Sequence, residues 1–228
     1  MEDTAGGALA ADATLLAPAT AAFSIWSLIY LLLLAYVVWG WTPAAARSKR
    51  WRSLGWLPAG TMVLNGAWLG ITQAGWLWLS VVDIAALAVV LGVLNRRLAA
   101  SRPSGALEGV VLDGTFGVYL GWVTVATCAN VTAAAVAQGV DLGAVGNAVA
   151  AVLVLAVAAA LGALFMRRFG VAALGVAAAM AWGLGWIAVG RLAGTPASTT
   201  VGVMAALSAV AVLAALAWSR ARPAVAAA

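Results

Sequence analysis

The sequence predicts an all-α fold, a membrane bundle of seven transmembrane helices with the N-terminus outside the cell and the C-terminus in the cytoplasm. Three observations predict it. The chain of 228 residues is 65% hydrophobic and 8% charged, with mean hydropathy +1.07. A soluble domain carries roughly 25% charged residues, so the polar material here cannot coat a globule and lipid must solvate most of the surface. Apolar runs near the ~20 residues that a spanning helix needs recur along the chain. Basic residues fall on alternate loops between those runs.

The runs cover residues 20–41, 54–73, 75–95, 109–136, 145–166, 169–190 and 199–219. Backbone N–H and C=O groups cannot face hydrocarbon unpaired, so each run reads as helix. The alternating ten-residue segments of a membrane barrel are absent. Arg47, Lys49, Arg50 and Arg52 fill the first loop, Arg96, Arg97 and Arg102 the third, Arg167 and Arg168 the fifth, and Arg220 and Arg222 follow the last run. Of the twelve Lys and Arg, only Arg191 lies on the other side. The positive-inside rule therefore places the basic loops in the cytoplasm, and Glu2, Asp3, Asp12 and Asp141 outside. The N-terminus lacks the positive region of a signal peptide, so the first run is expected to remain as a helix.

The high isoelectric point, near 10.4, then reflects topology and contact with anionic membrane lipids; short basic loops without a soluble domain do not suit nucleic acid. Histidine is absent and Cys128 is the single cysteine, so no zinc, haem or histidine-based acid–base site is expected, and no cofactor. A retinal Schiff base requires a lysine inside the bundle, and the only lysine, Lys49, lies in a loop. The prevalence of Ala and Val over Lys suits a bacterial chain and an inner-membrane location.

The twelve tryptophans divide by depth. Trp39, Trp41, Trp51, Trp56, Trp76, Trp78 and Trp218 sit at helix ends, where indoles favour the headgroup interface. Trp26, Trp68, Trp122, Trp182 and Trp186 sit deeper, where packing competes with a ligand pocket. At 1.5 Å per residue, Tyr30, Asn65, Asp83 and Trp122 fall near mid-membrane, with Trp26, Trp68 and Asn130 somewhat nearer the outer face. Helical spacing puts Trp26 with Tyr30, Asn65 with Trp68 and Thr72, and Tyr119 with Trp122, Ala126 and Asn130 on common faces. Four consecutive helices thus offer aromatic and amide groups at one depth, the lining a small flat ligand needs.

Asp83 reads in two ways. A deep acid is costly in a bilayer and often marks a ligand or proton site; equally, a neutral Asp83 would tie the third helix to Asn65 or another polar neighbour. Asp113 and Glu108 are expected at the interface. Gly66 with Gly70, and Gly117 with Gly121, have the small-residue spacing of close helix contacts. Residues 145–219 offer no motif beyond helix packing, including a possible dimer face.

At these residues the chain resembles the TspO/MBR family, the tryptophan-rich sensory proteins related to the mitochondrial translocator protein. The resemblance rests on Trp26 and Tyr30 in FSIWSLIY, Leu64, Asn65 and Trp68 in LNGAWLG, Val82-Asp83-Ile84, and Tyr119, Trp122, Ala126 and Asn130 in VYLGWVTVATCAN. It covers roughly residues 18–135. Val118 stands where the family has proline, and Phe23 is one position nearer to Trp26. The family's first helix and double-proline loop, part of the lid over its ligand cavity, have no counterpart except Pro18. Three further helices follow.

The resemblance implies binding of porphyrins, other tetrapyrroles or similar flat hydrophobic molecules, as sensor or carrier. Trp26, Trp68 and Trp122 would stack on the ligand, and Tyr30, Asn65, Asp83 and Asn130 would orient it, beside Tyr119 and Ala126. The expected organisation is an external segment 1–19, a TspO-like four-helix region 20–138, three added helices 139–222 and a tail 223–228. The alternatives are a secondary transporter of a small metabolite using Asp83, although the two ends of the chain show no sequence echo, and a membrane enzyme acting on a lipid-soluble substrate, for which one carboxylate without a nucleophile–base pair offers little.

Overall fold

The computed structural model describes residues 7–221, so the expected tail 223–228 and Glu2, Asp3 and Arg222 lie outside the described residues. Those residues are helical with short connections and include no strand. A 3₁₀ turn, Thr20–Ser24, leads into α1 (Ile25–Gly40). Then follow α2 (Leu57–Gln73), α3 (Leu77–Ala99), α4 (Ala106–Ala137), α5 (Gly143–Arg168), α6 (Ala173–Ala193) and α7 (Thr199–Ala221). Each of the seven apolar runs is therefore a helix.

Six of them are long and apolar enough to cross a membrane, α1 being counted with its 3₁₀ turn. The exception is α2. Its 17 residues extend only about 25 Å at 1.5 Å per residue, short of the ~30 Å hydrocarbon core. The outer surfaces of the helices carry exposed Leu31, Val63, Val82, Val89, Val145 and Leu153, a ring of aliphatic surface suited to lipid and not to water. Trp41, Trp56, Trp76, Trp78 and Trp218 are exposed as expected of interfacial indoles, whereas Trp39 turns inward and is buried.

The helix pair α4 and α6 forms the centre. α3 and α1 pack on α4, α2 packs along α3, and α5 and α7 flank α6. Glycine sets the spacing of the central pair. A Cβ on Gly117 would sit 2.4 Å from the Ala172 carbonyl oxygen, and one on Gly121 would sit 2.4 Å from that of Val176. α6 reciprocates with Gly175, whose added Cβ would lie 2.8 Å from the Val118 nitrogen. Backbone thus lies against backbone, as small-xxx-small spacing predicts. Gly66 and Gly70 have the same spacing and do nothing of the kind: a Cβ on either meets no atom within 4 Å. α2 turns its other face, with Thr61, Asn65, Trp68 and Thr72, inward.

The first basic loop is itself folded into two short helices, Pro43–Arg47 and Lys49–Leu54. Thr42 and Ser48 cap them by accepting from the Ala45 and Trp51 amides. This loop corrects the expectation for the two acids of α4. Asp113 lies in a π-helical stretch, Gly109–Gly114, and is buried, not interfacial. It takes both Nη groups of Arg50, at 2.9 and 2.8 Å. Arg50 Nη2 also donates to the Leu98 carbonyl of α3 at 2.9 Å. Glu108 is buried as well, accepting from Ser48 Oγ and the Ser104 amide. A buried charge is tolerated when paired and hydrogen-bonded, so Arg50 serves as a fixed partner of α4 as well as a loop cation.

On the opposite end, residues 7–19 form a strap of turns that lies across the bundle. Leu16 is wholly buried, and Thr14, Ala17 and Pro18 are buried beside it. The strap is held by α6. Ala19 N donates to the Trp186 carbonyl at 3.2 Å, and Trp182 Nε1 donates to the Ala22 carbonyl at 2.9 Å. Arg191 donates to the carbonyls of Thr14, Ala11 and Thr195 at 2.8, 2.9 and 2.9 Å. Just beyond α4, Asp141 accepts from Asn147 Nδ2 and the Gly143 amide, which hold its carboxyl below the usual carboxylate range.

Candidate functional site

Because α2 packs along α3, it stands off from α1 and α4. Side chains, not backbones, fill the space between these three helices. Two layers of them are found, and Trp26, expected beside Trp68 and Asn130, falls in the other layer with Tyr30 and Tyr119.

The deeper layer joins α1, α2 and α4. Asn65 Nδ2 donates to Tyr30 Oη at 3.2 Å, and Tyr119 Oη donates to the Thr61 carbonyl at 3.3 Å. Trp26 stacks on Tyr30, with ring centroids 5.6 Å apart and planes 21° apart. It also meets Tyr119 and Trp122 edge-on at 6.1 and 6.2 Å. Such edge and offset contacts suit the ring quadrupoles and add to area burial. Tyr119 and Asn65 are buried, Trp26 is half-buried, and Tyr30 is 44% exposed at the gap between α1 and α2.

The upper layer joins α2, α3 and α4. Trp68 Nε1 donates to Asn130 Oδ1 at 3.3 Å, and Asn130 Nδ2 donates to Ser80 Oγ at 2.9 Å. One buried amide thereby pairs both an indole N–H and a hydroxyl, which fixes the Trp68 ring.

Above the two layers is a small cavity of ≈ 40 Å³. Trp68, Trp122, Ala126 and Asn130 line it from below together with Phe23, and Ala8, Leu9, Thr14, Ala17 and Pro18 of the strap close it from above. Phe23 packs edge-on against Trp122 at 5.8 Å. Trp122 is only 1% exposed and its Nε1 has no hydrogen-bond partner among the described residues. Ligand pockets measure ~300–1,000 Å³, so the closed strap leaves room for a few waters and for nothing flat and large.

The nine residues singled out from the sequence therefore divide. Trp68, Trp122, Ala126 and Asn130 line the cavity; Trp26, Tyr30, Asn65 and Tyr119 form the aromatic floor beneath. Asp83 stands apart. Only 9% exposed, it makes no hydrogen bond to Asn65, whose amide is given to Tyr30, and its Oδ2 is buried without a partner among the described residues. No cluster of metal-ligating residues occurs among the described residues.

Several participants were not expected. The strap supplies a cover where only Pro18 seemed to remain of one. Ser80, three residues before Asp83, was legible as a face partner on α3. Trp182 and Trp186, read as packing, anchor the strap and the start of α1. Arg191 is 1% exposed and carried a signal in the sequence as the one cation against the charge bias; the run was read to end at 190, whereas the helix continues to Ala193 and takes Arg191 in.

A family model described as TSPO-like protein matches residues 2–218. The match extends well past residues 18–135 and takes in α5, α6 and all but the end of α7. No curated protein and no solved structure matches the chain.

Proposed function

The chain belongs to the TSPO-like protein family and is a multi-pass membrane protein, and from this we propose that it binds a flat hydrophobic ligand, a tetrapyrrole or similar molecule, between α1, α2 and α4, acting as a sensor or carrier. The observation that carries the proposal is the lid. The space beside Trp68 and Trp122 is closed by a strap of turns and not by interlocking helices. Displacing residues 7–19 opens the indoles to a ring; no helix need move. The unpaired Trp122 Nε1 offers a donor to such a ring, and Asn130 holds Trp68 in the plane that would face it.

In this reading Trp26, Tyr30, Asn65 and Tyr119 are the floor that keeps the cavity open, and Asp83 orients the ligand from α3. All seven helices cross a bacterial inner membrane with the N-terminus outside, the bilayer thinning locally around α2, a modest cost for a short helix. The strap is then external, and α5, α6 and α7 add the scaffold that holds it.

Tryptophan emission tests this. Purified protein titrated with protoporphyrin IX should show saturable quenching, since a stacked tetrapyrrole accepts the indole excitation. Trp68→Ala should weaken binding by about five- to tenfold, the worth of one aromatic contact, while Trp56→Ala, at an exposed site, should leave it unchanged. Unsaturable quenching, or equal binding by both variants, would defeat the proposal.

A further inference from the structure

Arg191 is a cation at the end of an apolar helix, 1% exposed, and every hydrogen bond it makes to the described residues goes to a neutral carbonyl. Among the described residues its Nη groups reach only the carbonyls of Thr14, Ala11 and Thr195, and its Nε is buried without a partner. No carboxylate among the described residues bonds to it; Asp12 is exposed and acts on it only through space. Hydrogen bonds between ions are stronger than those to neutral oxygens, so this guanidinium is held by weaker acceptors than it would accept from an acid.

The position of Thr14 gives this a direction. Its carbonyl takes Arg191 Nη1, and the same residue lines the cavity with Trp68 and Trp122. Its own hydroxyl is buried without a partner among the described residues. A single residue of the strap thus separates the indoles from the guanidinium. On its outer side Arg191 borders an open hollow of ≈ 590 Å³ with Ala11, Asp12, Gly190 and Thr195. The strap, Asp12 included, forms the other wall of that hollow, so lifting it uncovers the indoles and the guanidinium together, a surface apolar at one end and, with Asp12 carried away, positively charged at the other.

We propose that Arg191 selects the ligand: a planar apolar acid displaces the strap, its ring lying against Trp68 and Trp122 and its carboxylate taking the Arg191 donors that the Ala11 and Thr14 carbonyls now hold. The strap is in this sense a built-in competitor, presenting backbone oxygens where the ligand presents a carboxylate. The inference rests on the ligand-binding reading above and adds the acidic edge that the ligand must carry.

Three porphyrins test it: protoporphyrin IX with its two carboxylates, its dimethyl ester, and etioporphyrin, which has none. In the unaltered protein the diacid should bind about tenfold more tightly than the other two, the difference between a charge-assisted and a neutral hydrogen bond. Arg191→Gln should abolish that preference, so that acid and ester bind alike. Equal binding of acid and ester by the unaltered protein overturns the role of Arg191 and leaves the cavity reading standing. A preference retained in Arg191→Gln overturns it too. Failure of all three porphyrins to quench tryptophan defeats the cavity reading itself. Should Arg191→Gln not fold, the three-ligand comparison in the unaltered protein still decides.

Discussion

Arg50 and Asp113 show what a single contact does in this chain. They are 63 positions apart and meet in a bidentate pair with both side chains buried. In a low-dielectric interior the loss of one partner strands the other's charge, a far larger effect than losing the pair together. Asp113→Ala should therefore cost about 3–5 kcal/mol, read as a large fall in thermal midpoint of the detergent-solubilised protein. The double change Arg50→Met with Asp113→Leu should recover most of the loss. A double variant as unstable as the single one would mean that the pair stabilises by more than mutual neutralisation. The sequence marked both residues as polar and near one membrane face. It gave no hint of the pairing, because helix periodicity says which residues share a face but not which distant loop folds onto it. Side chains at helical spacing fared better: the Trp26–Tyr30 stack and the inward Asn65, Trp68, Tyr119, Trp122 and Asn130 follow from i, i+3 and i+4 alone. Asp83 makes no bond to Asn65, so that tie between α2 and α3 is absent.

Between elements, glycine is the determinant that the sequence leaves ambiguous. Gly66 and Gly70 on α2 have the same four-residue spacing as Gly117 and Gly121 on α4. Only the α4 pair meets a neighbouring backbone, because α4 is central and α2 lies at the rim with its glycines facing out. Gly121→Ala would drive a methyl into the Val176 carbonyl and into Ala179, prising α4 from α6. It should lower the thermal midpoint sharply or prevent recovery of folded protein. Gly66→Ala meets open space and should raise stability, by up to about 1 kcal/mol of helix propensity. The reverse order of the two would refute the assignment of α4 and α6 as the central pair. Helix existence was legible throughout from apolar runs, and boundaries shifted by only a few residues. The short length of α2, the folding of the first loop into two capped helices and the π-helical stretch at Asp113 were not, since each depends on contacts with other elements.

At the scale of the molecule, the two ends of the chain work together. The last three helices, a plain stretch of Ala, Val, Leu and Gly by composition, carry Trp186 and Arg191, which hold residues 7–19 in place, and Trp182, which holds the turn that follows them. That arrangement was hidden in the sequence because a strap of short turns has no periodicity, and its anchors are backbone carbonyls that no residue type announces. It gives a four-helix aromatic site a cover built from the opposite terminus. In the proposed function this cover must lift for a flat ligand to reach the indoles. Leu9 and Ala133 line the cavity from its two sides, so Leu9→Cys with Ala133→Cys, in a Cys128→Ser background, allows the strap to be tied to α4 by a short bifunctional thiol reagent. Protoporphyrin IX should quench the untied protein saturably and fail to quench the tied one. Equal quenching of both would mean that the ligand reaches its site without moving the strap, and the account would fall.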